Sequence, residues 1–192
     1  MTALLVVCFL GLQAGFIWAR YAIFRVDGRP AFGLRLIEAS ATACLIAGTW
    51  LIANRTESML ALDLLALTMA ACSAGLFAWA LHSIRPRQLT VVFSADAPAE
   101  LLQHGAFAFV RNPFYLAYML GFAIPAVVSG TWSGLMLAVW MSAIYAQAVR
   151  LEERKFLAGP LAEEYLRYCA GTGRFLPRIV KPIRPSGARH GH

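Results

Sequence analysis

The stretch HGAFAFVRNPFYLAYMLGF, from His104 to Phe122, places a histidine, an arginine and an asparagine directly before Pro113 and a run of lipid-compatible residues. Proline fits the first position of a helix, where its missing N–H costs nothing. Apolar helices that end near a membrane surface normally carry snorkelling Lys or Arg alone. A fixed polar set at this helix start therefore indicates either an elaborate helix cap or a binding site.

The composition around this stretch is that of a membrane protein. The chain has 192 residues, of which 59% are hydrophobic, and its mean hydropathy is +0.62. Its net charge of +7 comes from basic residues interleaved with apolar runs, which favours anionic lipid headgroups over nucleic acid as partners. The four cysteines form no C-x-x-C pair or Cys/His cluster, so we expect no metal site. The chain also lacks the G-x-S-x-G, P-loop and H-E-x-x-H motifs, which argues against a serine hydrolase, a P-loop nucleotidase and a zincin.

Long apolar windows predict an all-α integral membrane bundle of about five transmembrane helices. The windows are Thr2 to Ala19, Leu36 to Ala53, Met59 to Leu81, Pro113 to Val128 and Thr131 to Val149. The last two are joined by the very short SGTWSG, so four spans plus a re-entrant pair is the alternative. We divide the chain into N-terminal helices at 1–83, a region at 84–180 that contains the helical hairpin and the segment after it, and a basic tail at 181–192.

The distribution of positive charge predicts the orientation. With the N-terminus outside, sixteen of the seventeen Lys and Arg residues fall on one side and only Arg55 on the other. Because cytoplasmic loops carry the excess of Lys and Arg, we expect an integral protein of a bacterial inner membrane with its C-terminus, and any active site among its polar segments, in the cytoplasm. Two cytoplasmic elements follow: an extended arm at Gln88 to Ser94, and an interfacial helix with Leu161, Tyr165 and Tyr168 at helical spacing.

Two polar sets on this cytoplasmic side are candidate sites. Arg111 stands beside the free backbone donors of the helix that begins at Pro113, which suits a carboxylate or a phosphate, and Tyr115 lies one turn on. The alternative is that Arg111 snorkels and Asn112-Pro113 caps the helix.

The second set is Arg150, Glu152 and Glu153, where the fifth helix leaves the membrane. Arg150 and Glu153 are spaced to share one helix face, so the two sets describe the wall of a cleft; an ordinary helix-end ion pair is the alternative. Glu38 and Asp63 lie near span ends and are interpreted as structural.

These sets, in this order and spacing, resemble a known family of integral membrane methyltransferases that includes isoprenylcysteine carboxyl methyltransferase and the phospholipid methyltransferases. The family pattern appears here as HGAF, VRNPFY, RLEE, EEYLRY and FLP, between His104 and Pro177. Two positions depart from it: Phe107 stands where a tyrosine is expected, and Asn112 replaces the histidine of the prenylcysteine branch.

The resemblance implies a helical fold with a cytoplasm-facing pocket for S-adenosylmethionine and a lipidic or small-molecule acceptor, such as a prenylcysteine-type carboxylate, that enters from the bilayer. By position, Arg150 and Glu153 would be catalytic. The cofactor pocket would be formed by His104, Gly105, Arg111, Asn112, Pro113, Tyr115, Tyr165 and Tyr168. Two other functions compete with this one: an NADPH-dependent lipid reductase of the sterol-reductase type, and a non-catalytic helical binding protein.

Overall fold

The computed structural model describes residues 1–22, 32–84 and 100–178. Its six α-helices are α1 (Thr2–Ala22), α2 (Phe32–Ala53), α3 (Leu60–Ser83), α4 (Pro113–Ser129), α5 (Trp132–Ala158) and α6 (Ala162–Gly171), with a 3₁₀ turn at Gly105–Ala108 before α4. These three ranges contain no β-strand, so the predicted all-α class is confirmed. The predicted extended arm at Gln88 to Ser94 and the predicted tail at 181–192 lie outside the described residues.

Four of the helices, α1, α2, α3 and α5, are long and apolar enough to cross a membrane. Many of their large apolar side chains point outward, among them Val7, Ile46, Trp50 and Leu65, as expected for helices that face lipid. The helix α4 is apolar but has only 17 residues, about 26 Å. The chain is therefore an integral membrane bundle with four candidate spans and one shorter apolar helix, which agrees with the prediction of about five apolar helices.

The hairpin of α4 and α5 is set by local sequence. Gly130 ends α4 in the left-handed conformation, with φ of 61°, which glycine adopts without strain. Thr131 then begins α5, and its side chain accepts a hydrogen bond from the backbone N–H of Gly134 at 3.2 Å. A Cβ at Gly134 would lie 2.9 Å from the Cα of Ala126, so glycine allows the two helices to approach closely here.

Aromatic rings and small residues pack α1, α3 and α4 together. The rings of Phe16 and Phe77 lie 4.8 Å apart between centroids, and those of Phe77 and Phe114 lie 5.4 Å apart. In the same layer, the Ser73 hydroxyl of α3 donates a hydrogen bond to the carbonyl of Ala117 in α4 at 2.6 Å. This packing fixes the position of α4, whose first turn carries the candidate site.

Ion pairs mark the two ends of the bundle. At one end Arg55 forms a buried pair with Asp63, with a second contact of 2.9 Å, and its Nε donates to the Thr2 hydroxyl at 3.1 Å. At the other end Arg20 of α1 pairs with Glu38 of α2 at 2.9 Å. Each of the first three helices therefore runs antiparallel to the next, and the structural interpretation of Asp63 agrees with its contacts.

Candidate active site

The segment that leads into α4 is held against the end of α3 by a glycine. Gly105 has φ of 58°, and a Cβ at this position would lie 2.7 Å from the Cβ of Ser83 and closer still to its hydroxyl. That hydroxyl accepts a hydrogen bond from the backbone N–H of Ala106 at 3.1 Å. Both the positive φ and the close approach to Ser83 require glycine, so the backbone conformation explains the presence of Gly105.

The helix α6 and the residues after it close over this segment. The backbone N–H of Arg111 donates to the carbonyl of Gly173 at 2.9 Å, beside a parallel bridge between Val110 and Gly173. The Tyr168 hydroxyl donates to the carbonyl of Phe107 at 2.5 Å. Burial raises the pKa of the Tyr168 phenol well above its ordinary value, so it stays protonated and keeps donating.

A charged cluster forms where α4 begins and α5 ends. Arg111 donates to one carboxylate oxygen of Glu153 through Nε and Nη2, at 3.2 and 3.1 Å. Arg174 donates to the other oxygen at 3.0 and 2.5 Å, and the remaining Arg111 nitrogen donates to the carbonyl of Thr172 at 2.5 Å. The convergence of Arg111 and Glu153 that the sequence predicted is thus observed. Two guanidinium groups against one carboxylate leave the cluster positively charged.

The first turn of α4 adds backbone donors to this charge. Asn112 occupies the N-cap position but does not cap: its amide donates to Glu153 at 3.5 Å and to the carbonyl of Arg174 at 3.4 Å. Pro113 follows at the first helical position. The free N–H groups of this turn and the helix dipole, next to a net positive cluster, make a place suited to a carboxylate or a phosphate.

A second carboxyl group lies one residue away on α5, among tyrosines. The hydroxyl of Tyr115 donates to Glu152 at 2.5 Å. The Tyr115 ring lies 6.2 Å from Tyr118 and 5.8 Å from Tyr145, which form an aromatic wall beside the carboxyl group. Glu153 is held by two arginines, whereas Glu152 is held by one phenol in mainly aromatic surroundings.

Both carboxyl groups and the start of α4 line one cavity of about 380 Å³, a volume typical of small-molecule sites. Its polar end is formed by the charged cluster and α6, and its apolar wall by α1, α2 and α4. The principal lining residues are Gln13, Phe16, Arg20, Glu38, Arg111, Asn112, Pro113, Tyr115, Tyr118, Phe122, Tyr145, Glu152, Glu153, Phe156, Tyr165 and Tyr168.

Part of this polar end, the residues at the start of α4 and the end of α5, falls within a match to a known protein family, whereas α6 lies almost entirely beyond it. The family model described as phospholipid methyltransferase matches residues 62–163, just over half of the chain and including both Arg111 and Glu153. The chain belongs to the phospholipid methyltransferase family. The resemblance seen in the motifs is thereby confirmed, and with it a membrane protein of a methyltransferase family. No curated protein matches the chain significantly.

Seven of the ten site residues predicted from the sequence line the cavity: Arg111, Asn112, Pro113, Tyr115, Glu153, Tyr165 and Tyr168. The other three do not. His104 is exposed and its carbonyl accepts a hydrogen bond from Phe107, while Gly105 lies in the 3₁₀ turn. Arg150 is exposed on α5, so the predicted pair of Arg150 with Glu153 is replaced by the pairs that Glu153 forms with Arg111 and Arg174.

Several lining residues of this family member were absent from the predicted set. Glu152 had no signal that separated it from Glu153, because the spacing of Tyr145 and Val149 on α5 continues to both residues. Gln13 had a detectable signal in the sequence, because it is a lone amide on an otherwise apolar helix. Arg174 of the charged cluster had none, since its approach to Glu153 depends on how the chain returns after α6.

Proposed function

We propose that this phospholipid methyltransferase family member uses S-adenosylmethionine to methylate a lipidic acceptor that enters from the bilayer. The observation that carries the proposal is the two-ended cavity, charged at the start of α4 and apolar along α1, α2 and α4. A polar methyl donor suits the first end and a lipid tail suits the second. The distribution of Lys and Arg supports an active site in the cytoplasm, and membrane lipids rather than nucleic acid are the proposed partners.

The residues at the polar end fit the donor. The positive cluster and the first turn of α4 suit the carboxylate of its amino-acid part. The ring of Tyr165 stacks on Phe156, with centroids 4.8 Å apart and planes 12° apart, and offers a flat aromatic surface for a purine. S-adenosylmethionine, when bound, supplies a methyl group on a positively charged sulfur, which is already an activated leaving group.

The contributions of the chain are positioning and a dry site. Glu153 fixes the orientation of Arg111 and is a positioning residue, because its two oxygens are already occupied by guanidinium groups. Glu152 is the acidic group that faces the acceptor, where it accepts a proton or stabilises a cationic nucleophile. The catalytic role of Arg150, which would orient a substrate carboxylate from the membrane surface, stays a prediction.

The experiment that tests the proposal is calorimetric titration of the purified, detergent-solubilised protein with S-adenosylmethionine and, separately, with NADPH. We expect the first ligand alone to bind. Arg111→Gln should weaken that binding about tenfold or more, because a charge-assisted hydrogen bond is lost. Arg167→Gln, which removes the same charge from an exposed position on α6, is the matched control and should change little.

Two outcomes contradict the proposal. Binding of NADPH instead of S-adenosylmethionine would favour a lipid reductase of the sterol-reductase type. Binding of neither ligand would favour a non-catalytic helical membrane protein.

A further inference from the structure

One polar side chain interrupts the buried face of α1. That face consists of Leu5, Phe9, Gln13, Phe16 and Ala19, which recur at spacings of three and four residues. Gln13 is only 4% exposed and lies near the middle of a helix that is otherwise apolar and long enough to cross the membrane. Burying an amide at that depth costs free energy, and polar residues inside membrane helices often have a functional role.

The described part of the chain offers no partner to the nitrogen of this amide. Within the described residues, the Nε2 of Gln13 is buried and has no hydrogen-bond partner. Helix-to-helix hydrogen bonding, the usual structural reason for a polar group in such a bundle, is therefore absent here. Ser73 of α3 shows the contrast, because its buried hydroxyl donates to the carbonyl of Ala117 at 2.6 Å.

Gln13 instead lines the cavity of the candidate site. Phe16, Tyr118 and Phe122 line the same cavity and supply apolar surface around it. A Cβ at Gly121 of α4 would lie 3.4 Å from the Gln13 Nε2 and 3.2 Å from Phe16, so glycine allows α4 to pack closely beside the amide without a side chain that covers it.

The cavity thus has polar groups at two depths along α1. Arg20, paired with Glu38 at 2.9 Å, lies towards the C-terminal end of α1. Gln13 lies seven residues deeper, about 10 Å along the helix axis. A ligand that spans both levels has a polar head at the first and a hydrogen-bonding atom within its apolar part at the second.

We infer that Gln13 is a specificity-determining residue that donates a hydrogen bond to the acyl carbonyl oxygen of the lipid acceptor; this rests on the proposed function for the lipidic nature of the acceptor. An acyl chain joined through an ester or an amide presents such an oxygen between its head and its tail. A prenyl tail has no hydrogen-bonding atom at that depth and would leave the amide unsatisfied. The cavity therefore selects an acylated lipid over a prenylcysteine.

The test is equilibrium binding of two lipids that share a head and differ only in the carbonyl. The probes are a diacyl phosphatidylethanolamine and its dialkyl ether analogue, measured by native mass spectrometry of the full chain in detergent micelles. We expect the wild-type protein to bind the diacyl lipid about tenfold more tightly. Gln13→Leu should reduce this preference to nearly one, whereas Ser73→Ala, the control that removes a satisfied polar group outside the cavity, should keep it.

A wild-type protein that binds the two lipids equally, or binds neither, overturns the inference. A Gln13→Leu protein that retains the full preference overturns it as well. Gln13→Met, which preserves side-chain length without the N–H, makes the same comparison where Gln13→Leu does not fold. The readout needs no turnover: a protein that prefers the diacyl lipid through Gln13 but does not bind S-adenosylmethionine refutes the proposed methyltransferase and leaves the carbonyl site in place.

Discussion

Replacing Glu153 by Gln should destabilise the protein more than any other single change of charge in the cavity. The carboxylate accepts four hydrogen bonds from the guanidinium groups of Arg111 and Arg174, at distances from 2.5 to 3.2 Å. An amide of the same shape loses the negative charge and presents one oxygen instead of two. Two neighbouring guanidinium groups are then left without the charge that compensates them.

The size of the effect follows from burial. The side chains of Arg111 and Glu153 are 9% and 10% exposed, and removing one partner of a buried pair costs about 3–5 kcal/mol. Arg174 is 42% exposed and regains water, which places the expected loss near the lower limit, about 3 kcal/mol. For a chain of this length that corresponds to a fall of roughly 6–12 °C in the unfolding midpoint.

Thermal unfolding in detergent measures this directly, with and without S-adenosylmethionine. Glu163→Gln is the matched control, because Glu163 is exposed on α6. This substitution should shift the unfolding midpoint by about a degree at most. Combining Glu153→Gln with Arg174→Gln should recover part of the loss, since one uncompensated charge is removed. A Glu153→Gln midpoint within a degree of the Glu163→Gln midpoint would refute the reasoning.

Three further predictions test other parts of the structure. Tyr115→Phe removes the 2.5 Å hydrogen bond to Glu152 and should lower kcat for methyl transfer about tenfold with donor affinity unchanged; an unaltered kcat would contradict the proposed role of Glu152. Gly105→Ala should lower the unfolding midpoint by several degrees, because its φ is 58°, whereas Gly75→Ala, with open space at its Cβ, should not; equal midpoints would contradict this. Asp63→Asn should cost about 3–5 kcal/mol of unfolding free energy, since its side chain is 1% exposed in an ion pair, yet leave S-adenosylmethionine affinity intact by calorimetry; weaker binding would place the pair in the functional site.

The polar end of the cavity could be predicted from sequence because its signals are local. Pro113 marks the start of α4, and the Lys and Arg distribution places Arg111 and Glu153 on the same side of the membrane. A very short turn joins the other ends of these two helices, so we expect the start of α4 and the end of α5 to lie close together. The contact of 3.1 Å between them agrees with that argument.

Which acidic group the arginines hold, and which one Tyr115 holds, could not be predicted in the same way. Glu152 and Glu153 are about 100° apart around α5, so their roles depend on the rotation of the helix. That rotation is set by the packing of Met141, Tyr145 and Val149 against α2 and α4. The rotation that buries those residues also leaves Arg150 exposed.

The apolar wall depends on contacts between helices that carry no shared motif. Gln13 lines the cavity only because α1 packs against α4 at Gly121, a contact between residues more than a hundred positions apart. Gly105 was assigned to the cofactor from a motif, but its position against Ser83 gives a conformational reason for the glycine. Spacing along one helix predicts a face; it does not predict what that face packs against.

Methyl transfer to lipid is the measurement that tests the central claim most directly. The purified chain, reconstituted with a total bacterial lipid extract and a prenylcysteine acceptor, is supplied with S-adenosylmethionine that carries a tritiated methyl group. We predict that tritium appears in the organic-solvent fraction and that Glu152→Gln lowers its rate of appearance about tenfold or more. A wild-type protein that leaves all tritium in the aqueous fraction, or a Glu152→Gln protein that transfers it at the wild-type rate, would contradict the claim.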